Sequence, residues 1–190
     1  TLAAELEADA QALLSVLRMA GPWQPTGDAK LRALIDLVQD RHKGEKVLVF
    51  TQFADTARYL EGQLVRAGVK AIEAVTGDTP DPTGAAIRFS PVSNGARKQV
   101  AKADELRVLI ATDVLSEGQN LQDAATVVNY DLPWVIIRLI QRAGRVDRIG
   151  QKAEAIDCYT FMLAEGVERI INLRGRVRNR LQENAEVIGT

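Results

Sequence analysis

The sequence predicts an α/β domain in which helices flank both faces of a mostly parallel sheet. Three observations carry that expectation. Apolar, β-branched runs alternate along the chain with stretches of helical periodicity. The runs lack an exposed polar face, as strands covered on both sides do. Small polar residues follow three of these runs, at the carboxyl ends of the strands, where such sheets take up ligands.

The elements follow in order. Leu2, Leu6, Ala10, Leu13, Leu14 and Leu17 recur at helical spacing and give an amphipathic helix that ends before Gly21-Pro22. Residues 21–27 read as a linker. Asp28 can cap a second helix with Leu31, Leu34, Ile35 and Val38 on one side and a stop near Gly44. Lys46 to Thr51 is a strand, Ala57, Leu60, Leu64 and Ala67 mark the helix after it, and Val69 to Val75 is the next strand. Residues 76–106 combine turn chemistry with a short helix. Arg107 to Thr112, Thr126 to Tyr130 and Ala155 to Phe161 complete the strands. Pro133 opens a helix expected to run to about Arg145, and Val167 to Ile188 reads as a closing helix.

Composition narrows the class. The 190 residues carry 24 Lys plus Arg against 25 Asp plus Glu, a net charge of -1, with 46% hydrophobic and 26% charged. That balance excludes disorder, coiled coil and collagen-like repeats, and no apolar run approaches the ~20 residues a bilayer span needs. Glu5, Glu7 and Asp9 exclude a secretory signal, and one cysteine, Cys158, with one histidine, His42, leaves no metal constellation. A reducing, cytoplasmic setting is expected, and the start at Thr1 gives the expectation of an excised piece. Cys158 and Phe53 are expected in the core and His42 in solvent.

The chain holds no G-x-x-x-x-G-K-[ST] and no G-x-G-x-x-G, so it is not expected to hydrolyse ATP alone. Asp113 ends V-L-I-A-T-D as a magnesium carboxylate would, but such a group works beside a phosphate loop. The strongest local feature is L-I-Q-R-A-G-R-V-D-R-I-G-Q, residues 139–151. Arg142, Arg145 and Arg148 would share one face of a helix, where like charges repel unless an anion sits among them. Gly144 inside a helix costs about 1 kcal/mol relative to Ala. An anion site and a solvated basic helix end both fit this spacing. Further basic residues, Arg169, Arg174, Arg176, Arg178 and Arg180, lie near the carboxyl terminus.

Q-R-A-G-R-V-D-R-I-G-Q resembles motif VI of superfamily-two helicases, and its R-I-G-Q ending resembles the Swi/Snf-related branch. The other blocks come in the family's order: K-V-L-V-F-T-Q-F (46–53) resembles motif IV, A-T-D-V-L-S-E-G-Q-N-L-Q (111–122) resembles motif V, and N-Y-D-L-P-W (129–134) resembles the block before motif VI. The likeness covers about residues 26–180. It is nearest in style to bacterial polymerase-recycling relatives, and the segment T-P-D-P-T-G-A-A-I-R-F-S-P-V-S-N departs from the family's pattern.

The resemblance implies the second RecA-like lobe of a Swi/Snf-type DNA translocase, with the P-loop NTPase-type fold but no P-loop of its own. It implies residues 1–25 as helix and linker, 26–165 as the lobe and 166–190 as a bracing helix. Arg145 and Arg148 match the arginine fingers that reach an ATP held with Mg2+ by the first lobe. Gln141 and Arg142 match the start of motif VI, which ties that helix to motif V or to the nucleotide, and Glu117, Gly118 and Asn120 match positions near the nucleotide. Thr51, Gln52, Thr76, Gly77 and Thr112 match contacts to DNA phosphates. The implied partners are the N-terminal RecA-like lobe and double-stranded DNA, with no membrane, in the bacterial cytoplasm near the nucleoid. A non-catalytic binding module, an RNA helicase lobe and an unrelated small-molecule enzyme are the alternatives.

Overall fold

A computed structural model describes residues 2–115, 119–133 and 137–162 of the chain. Among them, helices α1 (Leu2–Ala20), α2 (Ala29–Asp36), α3 (Ala54–Arg66), α4 (Pro82–Phe89) and α5 (Ile137–Ala143) surround strands β1 (Val47–Phe50), β2 (Ile72–Val75), β3 (Val108–Ala111), β4 (Thr126–Asn129) and β5 (Asp157–Thr160). The sheet runs in the order β2-β3-β1-β4-β5, every pair parallel. Val47 aligns with both Val108 and Thr126, so the carboxyl ends of the central strands finish level.

Alternate residues of the central strands β1, β3 and β4 feed two separate cores, as the period of two requires. Val47, Val49, Val108, Ile110 and Val128 pack under α2 and α3 with Leu34, Leu60 and Leu64. Leu48, Phe50, Leu109 and Val127 face the other way, onto Ala86 and Phe89 of α4 and onto Leu115, Leu121 and Val146. The β1, β3 and β4 residues are buried without exception, which is why the sequence shows apolar runs there.

Asp28 opens α2 and ties it to its surroundings. One carboxylate oxygen accepts the Leu31 N–H at 3.0 Å, and the other accepts the hydroxyls of Tyr59 at 3.2 Å and Tyr130 at 3.4 Å. Trp23, in the connection before α2, donates its indole N–H to the Tyr59 hydroxyl at 3.3 Å. Lys30 donates to the Tyr130 carbonyl at 3.2 Å. After α2 the helix continues as one wide turn, Leu37–Arg41, in which the His42 N–H reaches the Leu37 carbonyl.

Several expectations are corrected. His42 is buried, not solvated: its ring nitrogens meet the Glu45 carboxylate at 2.8 Å and the Tyr159 hydroxyl at 3.0 Å. Phe53 is 59% exposed, because it stands just past β1 at the head of α3. Cys158 is exposed, because β5 is the edge strand and has no further strand beside it among the described residues. The helix expected before Gly21 is present as α1, and its apolar stripe is exposed along its whole length. The expected helix from Pro133 to Arg145 ends two residues early, at Ala143. Trp134 and the whole segment 163–190 lie outside the described residues.

At the opposite, amino end of the strands, Glu105 draws together Lys46 (2.8 Å), Arg97 (2.5 Å) and Lys102 (3.1 Å). Burial alone would raise its carboxyl, but hydrogen bonds from these three cations outweigh that and hold it down at about 2.

Candidate functional site

Four chain segments leave the level carboxyl edge of the sheet: Thr51-Gln52-Phe53 after β1, Thr76-Gly77-Asp78 after β2, Thr112-Asp113 after β3 and Tyr130-Asp131 after β4. Asp131 fills the space above β1. Its carboxylate accepts the Thr51 hydroxyl at 2.5 Å and the Gln52 backbone N–H at 3.0 Å, while the Gln52 side chain donates to the Leu132 carbonyl at 3.0 Å. An anion thus already occupies the donors that motif IV offers. The Thr76 N–H goes to the Thr79 hydroxyl and the Thr112 N–H to the Val75 carbonyl. Of the five residues matched to DNA contacts, Thr51 and Thr76 are buried, Gln52 and Thr112 half-buried and Gly77 exposed.

Asp113 anchors the next layer. Arg142 of α5 is 1% exposed and lies across the Phe50 ring, its guanidinium carbon 5.1 Å from the centroid. Its Nε and one terminal nitrogen donate to Asp113 at 3.2 and 3.0 Å, and the other terminal nitrogen donates to the Asn129 side-chain oxygen at 3.2 Å. Arg138, one turn earlier, pairs with the other Asp113 oxygen. A buried guanidinium is tolerable only with its donors satisfied, and here the rigid fork meets a carboxylate and an amide oxygen. Arg142 therefore binds α5 to the segment after β3. Asn129 and Asp131 are not singled out as site residues by the sequence, although N-Y-D-L-P contains both, and Asp113 is weighed there only as a magnesium carboxylate.

The three arginines do not share a helix face. The chain turns at Gly144, whose N–H closes α5 on the Ile140 carbonyl at 2.8 Å. Tighter bonds follow, from Arg145 N–H to the Arg142 carbonyl and from Val146 N–H to the Ala143 carbonyl, and they drive Val146 into the core at 0% exposure. Arg145, half-buried, and Arg148, exposed, thus sit on a turn after α5, with Gly144 past the helix instead of inside it. No hydrogen bond or ion pair among the described residues engages the Arg145 guanidinium. Arg148 is exposed and donates to the Asn120 side-chain oxygen at 3.1 Å.

The turn is stapled to residues 121–124. Gln151 donates from its amide to the carbonyls of Gln122, Ala124 and Val146 at 2.9–3.1 Å and accepts the N–H groups of Lys152 and Ala153. Gln122 returns a bond to the Ile149 carbonyl at 3.0 Å. Gly150 adopts φ +100°, which an L side chain rarely reaches, so the R-I-G-Q ending supplies the turn's left-handed residue and its clasp. Gln141 is exposed on α5. Glu117 and Gly118 lie outside the described residues.

A family model described as the helicase conserved C-terminal domain matches residues 29–150. The uncharacterized ATP-dependent helicase YqhH of Bacillus subtilis is 31% identical over 148 residues, covering 78% of this chain and 24% of that protein. The RNA polymerase-associated protein RapA of Vibrio cholerae is 36% identical over 151 residues, covering 78% of this chain and 14% of that protein. The chain thus spans a quarter or less of the length of these relatives. Among solved structures, the C-terminal part of the Fun30 ATPase domain matches with a TM-score of 0.63 at 21% identity, over 89% of this chain and 52% of that one. Dbp5 of S. cerevisiae, bound to RNA and ADP BeF3, matches at 0.58 and 22% identity, over 79% and 35%. These last two likenesses speak to the fold alone.

Proposed function

Given that the chain belongs to the helicase conserved C-terminal domain family, we propose that it is the second motor lobe of a Swi/Snf-type, ATP-dependent translocase on double-stranded DNA. The observation that carries this reading is the arginine turn. Of three evenly spaced arginines, Arg142 is consumed inside the lobe, while the half-buried Arg145 and the exposed Arg148 follow it on a braced turn. Two guanidiniums on this turn suit the oxygens of a triphosphate, which they would meet across a cleft from a partner lobe holding ATP and Mg2+. When bound, the nucleotide supplies the phosphoryl group whose transfer to water drives movement. The chain's own part is to place positive charge where the transferring group becomes more negative, without the cost of ordering it at that moment.

DNA lies along the carboxyl edge in this reading. Gly77 and Thr112 are the matched residues best disposed to phosphate, since the Thr51 hydroxyl and the Gln52 N–H are taken by Asp131. Contacts of this kind grip a backbone without reading sequence, as a motor stepping along any sequence needs. Residues 1–25 form the incoming helix and linker, 26–165 the lobe and 166–190 a brace toward the other lobe.

The test is DNA-stimulated ATP hydrolysis by the full-length protein and its Arg145→Ala form, with duplex DNA and RNA as alternative activators. Loss of about 10³-fold in turnover with DNA binding retained is the expected outcome. Undiminished turnover, or stimulation by RNA alone, would overturn it.

A further inference from the structure

The turn after α4 has no part in the reading above, yet its polar side chains all converge on one place. Asn94 donates from its side-chain amide to the Ser90 carbonyl at 2.7 Å and to the Asn120 carbonyl at 2.8 Å, which uses both of its hydrogens. Asp123 accepts the N–H groups of Val92 and Ser93, both at 2.8 Å, and the Ser93 hydroxyl. Ser90, fully buried, accepts the Asp123 N–H at 3.4 Å. These bonds join segments 26 to 33 residues apart in sequence.

Asn120 passes the restraint on. Its side-chain N–H group donates to the Ser93 carbonyl at 3.4 Å, so its side-chain oxygen faces the opposite way, toward the Arg148 guanidinium at 3.1 Å. A flipped amide would set acceptor against acceptor at the Ser93 carbonyl and donor against donor at the Arg148 guanidinium. The position of Arg148 is thereby fixed through Asn120 by the 90–94 turn.

We infer that Asn94 is a positioning residue for ATP hydrolysis, acting through Asn120 to hold Arg148 in its productive place. The inference rests on the reading of Arg148 as an arginine finger. A finger displaced by about 1 Å loses much of its effect, up to ~10²-fold. Removal of the tether lets Arg148 wander without removing its charge. It therefore lowers kcat about tenfold and leaves the KM for ATP unchanged.

The experiment compares the full-length protein with its Asn94→Ala, Asn94→Asp and Arg148→Ala forms and the Asn94→Ala/Arg148→Ala double variant. DNA-stimulated hydrolysis is followed under steady-state and single-turnover conditions, beside thermal melts. Asn94→Asp keeps the shape and loses the donors, so it serves if the alanine form folds poorly. Expected are a tenfold lower kcat at constant KM in both Asn94 forms, and a double variant no slower than Arg148→Ala alone. Wild-type kcat in the Asn94 forms beside a crippled Arg148→Ala would overturn the tether and leave the finger standing. So would an equal tenfold loss in both backgrounds, the signature of a general weakening of the fold. Normal turnover by Arg148→Ala would remove the finger and the tether together.

Discussion

Replacing Arg142 by alanine should unfold the lobe well before it touches nucleotide affinity. The Asn129 side-chain oxygen sits at a fully buried residue and loses its Arg142 donor, which costs about 1–3 kcal/mol. The guanidinium also leaves the face of Phe50, a contact worth about 1–2 kcal/mol when desolvated. Asp113 suffers less, since its side chain is 26% exposed and keeps Arg138. The total, about 3–4 kcal/mol, falls in the range for breaking a buried pair from one side. With a urea dependence of about 2 kcal/mol per M, the unfolding midpoint drops by about 1.5–2 M. Arg142→Lys keeps the charge and loses the fork, so about half that drop is expected. A midpoint within ~0.3 M of the parent value, together with a raised KM for ATP, would show Arg142 serving the nucleotide and refute its role as an internal anchor.

Glu105 gives a pH signature. Its carboxyl is held down at about 2, so the bound form contributes stability above its unfolded pKa of about 4.3 and loses it as pH falls toward 2. Glu105→Gln should cost on the order of 2 kcal/mol at pH 7 and flatten the acid limb of a melt-versus-pH curve between about pH 4.5 and 2; an unchanged limb would show the three cations indifferent to its charge. Thr51→Ala should lower stability by about 1 kcal/mol in urea titrations and leave DNA affinity as it was, because the hydroxyl is spent on Asp131; a clear loss of DNA affinity at unchanged stability would return Thr51 to the DNA.

The strands were legible because a sheet covered on both faces demands unbroken apolar runs, and each of β1, β3 and β4 sits inside one. The fates of His42 and Cys158 were not, because burial there depends on strand order, which local pattern does not encode; Phe53 was missed because it falls just past β1, at the head of α3. His42 is enclosed by Tyr159 from the edge strand, 117 residues away in sequence. In the arginine series, spacing alone could not tell which of three like charges would find Asp113, 29 residues upstream of Arg142. Nor could it show that Val146, drawn into the core, ends the helix before Arg145. The R-I-G-Q signature was readable as a resemblance, but its physical use, a left-handed glycine and a glutamine clasp, needed coordinates.

The Asp28 node has a mechanical consequence. Trp23, Tyr59, Asp28 and Tyr130 form one chain of hydrogen bonds, and Tyr130 is covalently next to Asp131, which holds the end of β1. Tension applied to the stretch around Trp23 has little slack to take up before it reaches the tip of the central strand. The incoming segment is therefore linked to the sheet edge through the Asp28 carboxylate.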